Sequence, residues 1–418
     1  MRYLAEVNPP TPEFDQLAPH AELTFMPLET VWADGRHDAS RVKVKSEVMT
    51  GYTRFRDGDI LLPKVTPTFQ AGRVARVHGL TRGVGAGTTE LHVLRARPGV
   101  DPRYVAYALR SKHFIEEGVT AFQGVAGLQR VPDRFVSDFK VADLPLDEQV
   151  RIANFLDAET ARLNRLTELL SQQRRLNSER ASVVVDQSLS DLGLRWPQAL
   201  DAAPEHWGLP VGWRLMALSR VLRELTNGYV GPTRDILEVE GVRYIQGTHI
   251  KHGEIDFNRR PFYVTEDWHR KRRRVNLRAG DVLIVQTGDI GQVAVVPQDF
   301  GEASCHALQI ARVREDLVSG EYLGLYLRSR FGYNSLLSRA TGALHLHLEA
   351  GIRDVPVVVP PLEVQARMTV HLAAARRRSR LLDAALRAQV ALVAERRAAV
   401  ITAAVTGQLD VSTARGAA

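Results

Sequence analysis

The sequence predicts an α+β chain that uses one plan twice: a globular domain, a long helix, a second globular domain and a second long helix. The two helices are expected to form an antiparallel coiled coil about a pseudo-two-fold internal repeat. Two observations carry this reading. The stretch PLDEQVRIANFL, which begins at Pro145, returns as PLEVQARMTVHL from Pro361, and each copy opens a long segment free of Gly and Pro. Upstream of each copy, the same short phrases also recur in the same order. The boundaries that follow are a first domain over 1–144 and a first helix over 145–190. A linker and second domain occupy 191–360, a second helix 361–406 and a tail 407–418.

In the first domain, RFRDGDILL (Arg54–Leu62) is a turn at Gly-Asp leading into an apolar strand, and its echo is NLRAGDVLI (Asn276–Ile284). GVGAG (Gly83–Gly87) reads as a flexible loop, because the strand-like TELHVLRA follows it. A phosphate-binding turn would need a helix N-terminus there. YVAYALRSKHF (Tyr104–Phe114) and YLGLYLRSRFG (Tyr322–Gly332) each predict a short helix carrying Leu-Arg-Ser. VSDFKVADLPL and IRDVPVVVPPL each predict a strand running into the helix start. Two regions lack an obvious counterpart: Asn227–Pro261 in the second half and Val77–Gly87 in the first. One fold with two different recognition surfaces would give this pattern.

The long segments are rich in Leu, Ala, Arg, Glu and Gln, the composition of a helix. Set in register they share Gln149/Gln365, Arg151/Arg367, Leu156/Leu372 and Leu170/Leu386, among others. Leu156, Leu163, Leu170 and Val184 fall at heptad spacing, as do Leu372, Leu386, Val393 and Val400, while Asn177 and Ser379 interrupt the stripe. Gly193 and Gly407 follow the two segments and suit left-handed caps. A helix of about 40 residues is roughly 60 Å long, and an apolar stripe of that length needs cover. Mutual packing of the two stripes is the economical solution; the alternative is that each packs on its preceding domain. The intervening Leu192–Trp213, rich in Pro, Gly and Trp, reads as a linker.

The bulk numbers are consistent with this plan. At 418 residues the chain suggests two or three domains, and 44% hydrophobic with 25% charged residues is ordinary for a folded protein. A net charge of +7 makes a polyanion a plausible partner. The single Cys305 excludes an internal disulfide and a four-thiolate zinc site. The opening MRYLAEVNPPTPEF has no apolar core for a signal peptide, and no apolar run approaches the roughly 20 residues of a membrane span. The expectation is a cytoplasmic protein.

At this point the sequence resembles the specificity subunits of type I restriction–modification systems. The resemblance rests on GDILLPK followed by GVGAGTTELHVLRA, and on LPVGW, RYIQGTHIKHGEID and AGDVLIVQTGDIG in the second half. The paired PLDEQ and PLEVQ helix starts and the terminal ERRAAVITAAVTGQLDV complete it. Two departures stand out: Val364 replaces Glu148 at the second helix start, and the first domain has no opening like LPVGW. The resemblance implies two target-recognition domains, each reading half of a split sequence in double-stranded DNA. It also implies that the helices set the spacing and dock two methyltransferase subunits, with restriction–translocation subunits joining the full enzyme. S-adenosylmethionine, ATP and Mg would then sit on those partners, and this chain would hold no cofactor.

Fragments that invite an enzymatic reading are weak. NPP at Asn8–Pro10 is followed by Thr11, so the aromatic that stacks a flipped base in amino-methyltransferases is missing. A Pro-rich turn is the plainer reading. In HLHLE (His345–Glu349) two His and a Glu alternate as possible metal ligands, but no further ligand cluster is in view. Cys305 beside His306 is similarly isolated. There is no Gly-Lys pair for a P-loop and no Glu-x-Lys triplet of the common nuclease kind. No catalytic or metal-binding residue is assigned.

Phosphates are gripped by Arg, Lys, hydroxyls and amides, and bases are read by Arg, Lys, Asn, Gln and Thr. The first domain offers Lys64, Thr66, Gln70, Arg73 and Arg76 just after its Gly-Asp framework. The matching place in the second offers Gln286, Thr287 and Gln292, and upstream of it lie Gln246, His249 and Lys251. The run HRKRRR adds Arg270, Lys271, Arg272, Arg273 and Arg274, as phosphate contacts or simply as a solvated face. Arg376, Arg377, Arg378 and Arg380 on the second helix face either a partner or solvent. Two other classes stay open: a coiled-coil adaptor joining two protein-binding domains, and a degenerate methyltransferase or nuclease.

Overall fold

The computed structural model describes residues 1–124, 127–197, 207–342, 347–348 and 350–411. They fall into two compact units, Met1–Gln173 with Ala385–Ala418, and Arg174–Ala384. The first unit carries strands β1 (Ala5–Val7), β2 (Glu22–Met26), β3 (Val42–Val44), β4 (Thr53–Arg56), β5 (Ile60–Pro63), β6 (Ala75–Arg76), β7 (Val84–Gly87) and β8 (Leu91–Ala96). Its short helices are α1 (Pro12–Gln16), α2 (Pro102–Arg110), α3 (Lys112–Thr120) and α4 (Asp133–Asp138). The long helix α5 spans Leu146–Asp191. The second unit adds β9 (Arg214–Ala217), β10 (Leu222–Asn227), β11 (Val242–Ile245), β12 (Ile250–Lys251), β13 (Glu254–Ile255), β14 (Tyr263–Val264), β15 (Val282–Val285) and β16 (Val293–Val295). It continues with β17 (Ala303–Cys305), β18 (Leu308–Val313), β19 (Ala340–Thr341), β20 (His347–Leu348) and β21 (Pro356–Val359). Its short helices are α6 (Leu218–Val221), α7 (Glu266–Lys271), α8 (Gly320–Leu327) and α9 (Arg330–Leu337), and the second long helix α10 spans Leu362–Val405.

The repeat runs deeper than the sequence shows. One sheet of the first unit has the order β1-β8-β5-β6 and one sheet of the second has β10-β18-β15-β16, with the same antiparallel pairings. A further sheet places β2 between antiparallel β3 and parallel β7, just as β11 lies between antiparallel β14 and parallel β17. Part of each segment expected to lack a counterpart has one: β11 within Asn227–Pro261 matches β2, and β7 within Val77–Gly87 matches β17, while the β12–β13 hairpin has no equivalent among the described strands of the first unit. The match escapes the sequence because strands of three to five residues carry little periodic signal, and the matched strands differ in the residues they use.

GVGAG is accordingly a correction. Val84–Gly87 is a buried strand, and a Cβ at Gly85 would collide with the Phe55 ring on β4. The glycines therefore admit a neighbouring aromatic. Leu-Arg-Ser also has more structure than one helix: Arg110 ends α2 and Ser111 caps α3, where it accepts from Phe114 N–H, and Ser329 caps α9 by accepting from Gly332 N–H. The expected strand before the helix forms in the second half only, where β21 pairs with β9. The residues of β9 directly follow LPVGW, and the first half has no counterpart of that segment; there α4 precedes the helix.

Two polar contacts repeat with the fold. Gln149 is almost wholly buried at the start of α5; its Oε1 accepts from Asp101 N–H (3.0 Å) and its Nε2 donates to Leu144 O (2.8 Å). Gln365 on α10 accepts from Ser319 N–H (3.0 Å) and donates to Leu317 O and Pro360 O. Each glutamine ties a long helix to the N-cap residue of the preceding α2 or α8. The shared contact of PLDEQ and PLEVQ is therefore the glutamine, and Val364 in place of Glu148 does not touch it. Truncating Gln149 or Gln365 to Ala is expected to cost roughly 1–3 kcal/mol, since buried backbone groups lose their partner. Urea unfolding with an unchanged midpoint in both variants would refute this role.

The second contact explains Gly-Asp. Asp59 accepts from Arg56 N–H and holds Arg95 of β8 through two bonds of 2.8 Å. Asp281 accepts from Arg278 N–H (2.9 Å) and meets Arg312 of β18 at 3.3 Å. Arg312 is 2% exposed and also reaches Glu224 (2.7 Å) and Asn276 O (2.8 Å).

Along the helices, partners fall in number on α10 as they rise on α5, so the pair is antiparallel. In the first unit Leu163 and Leu170 pack with Leu386, Val390 and Val393, Glu159 pairs with Arg396 at 3.2 Å, and Asn164 accepts from Arg397. In the second, Arg174 pairs with Asp383 at 3.0 Å. Asn177 Nδ2 donates to Ser379 O (2.9 Å), and Ser379 Oγ donates to Asn177 Oδ1 (3.2 Å). The residues that interrupt the stripe thus answer each other. The rest of the stripe turns to the domains. Leu156 joins the first core beside Tyr104 and Phe114, with Val400 packed against it. Leu372 joins the second core, where Val184 lies at the edge. Both modes of cover are used. Gly193 and Gly407 take the left-handed conformation, with φ of +95° and +75°.

Candidate nucleic-acid interface

In the second unit the basic run lies on α7 and the turn after it. Arg270 and Lys271 are exposed and pair with Asp267, at 3.9 and 2.6 Å. Arg273 is exposed in the short 3-10 turn Arg273–Val275. Arg272 lies over Trp268 (4.6 Å) and Tyr229 (5.5 Å), so two aromatic faces orient its guanidinium. Arg274 Nε donates to Thr226 Oγ1 (2.9 Å) at the end of β10. Arg274, Thr226, Asn227, Gln309 and Arg353 line an open cavity of about 380 Å³. Its Asn227 and Gln309 are cross-strand partners on β10 and β18. A cationic rim over an amide floor can offer donors and acceptors together, which is what base edges require.

Asn227, Gln309, Arg353 and Tyr229 were not among the residues singled out in the sequence. Asn227 closes β10 and Gln309 stands second on β18, both strands that carry other polar residues, so their sequence setting does not mark them out. Two expected contacts are corrected. Gln286 is 3% exposed, and its Oε1 accepts from Gln309 Nε2 (3.0 Å). His249 is fully buried: its Nδ1 accepts from Gln246 N–H, and its Nε2 lies 2.8 Å from Arg260 O. Burial also holds the His249 imidazole below its usual pKa. Both side chains shape the domain from inside and do not face a ligand. Gln246, half-buried, closes that turn in a reciprocal cap with His249. Lys251 pairs with Asp289, and Thr287 Oγ1 lies 2.8 Å from His347 Nδ1. Gln292 is half-buried, and its backbone oxygen accepts from Val285 N–H (2.9 Å) across the β15–β16 turn.

Arg376 and Arg380 meet the β12–β13 hairpin of this same unit: Arg376 donates to His252 O (2.8 Å), and Arg380 pairs with Glu254. They brace this chain's own hairpin. Arg377 and Arg378 carry no described contact of this kind. Of the first unit's candidates, Gln70 is exposed, while Lys64, Thr66, Arg73 and Arg76 are half-buried. Lys64 N–H donates to Glu90 O, and Thr66 Oγ1 accepts from Gln129 N–H (3.2 Å). Arg73 points toward Leu28 O and Val31 O at 3.4 and 3.5 Å, and Arg76 lines a separate cavity.

The enzymatic fragments have structural roles. Asn8 accepts from Val93 N–H (3.0 Å), and its Nδ2 reaches His92 Nδ1, pinning the N-terminal turn to β8. Cys305 is fully buried in an apolar core, which pushes its thiol pKa up. In HLHLE only His347 and Leu348 are described; His345 and Glu349 lie outside the described residues. No helix among the described residues is long and apolar enough to cross a membrane.

No family model matches the chain. It is 31% identical over 201 residues to the Type I restriction enzyme EcoEI specificity subunit of Escherichia coli, which is 46% of this chain and 34% of that protein. It is 38% identical over 154 residues to the EcoAI specificity subunit of the same organism, 36% of this chain and 25% of that protein. The matched stretch thus spans about a third or less of either relative. In fold, it matches a chain from a study of complex assembly and conformational transition of the type I R-M system, with a TM-score of 0.67, 19% identity and coverage of 94% and 93% of the two chains. It also matches the HsdS subunit from Thermoanaerobacter tengcongensis, with a TM-score of 0.51, 20% identity and coverage of 97% and 94%. Over part of its length the chain is thus similar in sequence to two type I restriction enzyme specificity subunits, and over nearly all of its length it shares the fold of these two solved chains.

Proposed function

We propose that the chain is the DNA sequence-recognition subunit of a type I restriction–modification complex in the cytoplasm. Each globular domain reads one half of a bipartite duplex target. The long helices set the gap between the half-sites and dock two methyltransferase subunits, and restriction–translocation subunits complete the assembly. Chemistry belongs to the partners, which hold S-adenosylmethionine, ATP and Mg. The observation that carries this reading is one topology built twice with different polar groups on its recognition loops. In the second unit these are the Arg274/Arg353 rim and the Asn227/Gln309 floor, with Arg272 held over two aromatic rings; in the first, the exposed Gln70 and the half-buried Lys64, Thr66, Arg73 and Arg76. A duplicated frame with unlike contacts suits a target whose two halves differ.

The test is duplex affinity of the chain with its methyltransferase partner as salt is varied. Each phosphate gripped contributes close to −0.9 to the slope of log K against log salt. A slope near zero would favour the adaptor reading, and cleavage or methylation by the isolated chain would favour an enzyme. Native mass spectrometry is expected to show one recognition chain with two methyltransferases, because two similar helix-bearing halves present two similar docking surfaces. A stable one-to-one limit would count against two docking surfaces.

A further inference from the structure

The first unit holds a second polar cavity, of about 520 Å³, beside the Asp34–His37 turn. Arg36, Arg76, Arg103 and Arg110 line it along with two carboxylates, Asp34 and Asp157. Both carboxylates are already engaged, Asp34 by Arg36 (2.6 Å) and Asp157 by Arg103 (2.8 Å) and the Tyr107 hydroxyl (2.7 Å). Arg76 and Arg110 have no ion pair among the described residues. Arg110 is only 9% exposed, and its Nε and Nη2 are buried without a hydrogen-bond partner, as is the Nε of Arg76. Its guanidinium lies over the Tyr107 ring at 5.2 Å, which supports the plane and leaves the N–H edges unspent. A Cβ at Gly35, where φ is +91°, would stand 2.9 Å from Arg110 Nη1, so the turn closes on this charge only as glycine. Arg397, also with a buried unpartnered Nε, adds a third positive charge close by.

A buried guanidinium with unspent donors at Arg110, beside the half-buried Arg76 and with the nearby Asp34 and Asp157 already engaged by other arginines, is costly unless an anion joins it. The forked N–H pairs of Arg110 and Arg76 match the oxygens of a tetrahedral oxyanion. The second half keeps the arginine as Arg328, with an unpartnered Nη1, but there the turn at Gly253 closes against it. We propose that the cavity at Arg76 and Arg110 binds a phosphate-like oxyanion, either a free small anion or a phosphate of a nucleic acid backbone. The site stands on its own geometry, whether or not the domain reads DNA.

Calorimetric titration of the full chain with inorganic phosphate, against chloride at matched ionic strength, tests this. One saturable site is expected, weakened roughly ten- to hundred-fold in Arg110→Met and in Arg76→Met. Arg110→Lys keeps the charge but loses the fork, and should fall between them and the wild type. A non-saturable response, or equal binding in all variants that retain the wild-type unfolding midpoint, would overturn the site. A DNA duplex that displaces phosphate identifies the backbone as the source; phosphate binding that DNA leaves untouched identifies a free anion. If DNA does not bind at all, the proposed recognition role fails while the phosphate titration still decides the site.

Discussion

Replacing residues 1–144 with the corresponding domain of a relative is expected to change one half of the recognised sequence completely and leave the other half intact. Each unit has its own sheets and its own buried core. The graft also keeps the element that seats the helix, because Gln149 lies just beyond the junction and takes its bond from the backbone at Asp101. A backbone N–H is available whatever side chain the relative has there. Methylome sequencing of cells carrying the hybrid and its methyltransferase reads the result directly. Both half-sites altered together would end the modular reading, and both unchanged would remove the first domain from recognition.

The largest stability effect is expected at Arg312. It lies among three acceptors, and Asp281 beside it is 3% exposed. Arg312→Met would strand that carboxylate in the interior, at a cost of about 3–5 kcal/mol. Adding Asp281→Asn removes the charge yet keeps an oxygen for Arg278 N–H, so the double variant should recover a large part of the loss. Arg95→Met, the counterpart in the first domain, should cost less, because the Arg95 side chain is 18% exposed and water can reach the pair. Urea unfolding of the single and double variants checks all three. A loss below about 1 kcal/mol for Arg312→Met would mean the pair is incidental.

The sequence made the long helices legible because a heptad stripe over many turns is a strong periodic signal and Gly193 and Gly407 mark its ends. It was less informative wherever a contact joins residues far apart in the chain. Gly-Asp stood out as a turn, but nothing near Asp59 or Asp281 pointed to Arg95 or Arg312 on another strand. Val84–Gly87 looked like a loop because its glycines answer to the ring of Phe55, which lies on a neighbouring strand. Among the interface candidates, residue type alone could not separate His249 and Gln286, which face inward, from the exposed Arg272 and from Arg274, which lines a cavity. Burial decides that, and burial is set by the tertiary fold.

The Asn177–Ser379 contact has a consequence for how the two halves choose each other. In the register of the repeat, Asn177 corresponds to Val393 and Ser379 to Leu163, and those two share the apolar seam of the first unit. The crossing therefore meets like with like at both places: amide with hydroxyl at one, leucine with valine at the other. If two copies of the first helix were to pair with each other in the same way, Leu163 would face Asn177 twice over. Two copies of the second would set Val393 against Ser379. Each such mismatch leaves a half-buried polar group without its partner, at a cost of about 1 kcal/mol. Cut into separate chains, the halves should thus prefer the unlike partner to a twin, which makes the two helices complements and no longer interchangeable copies.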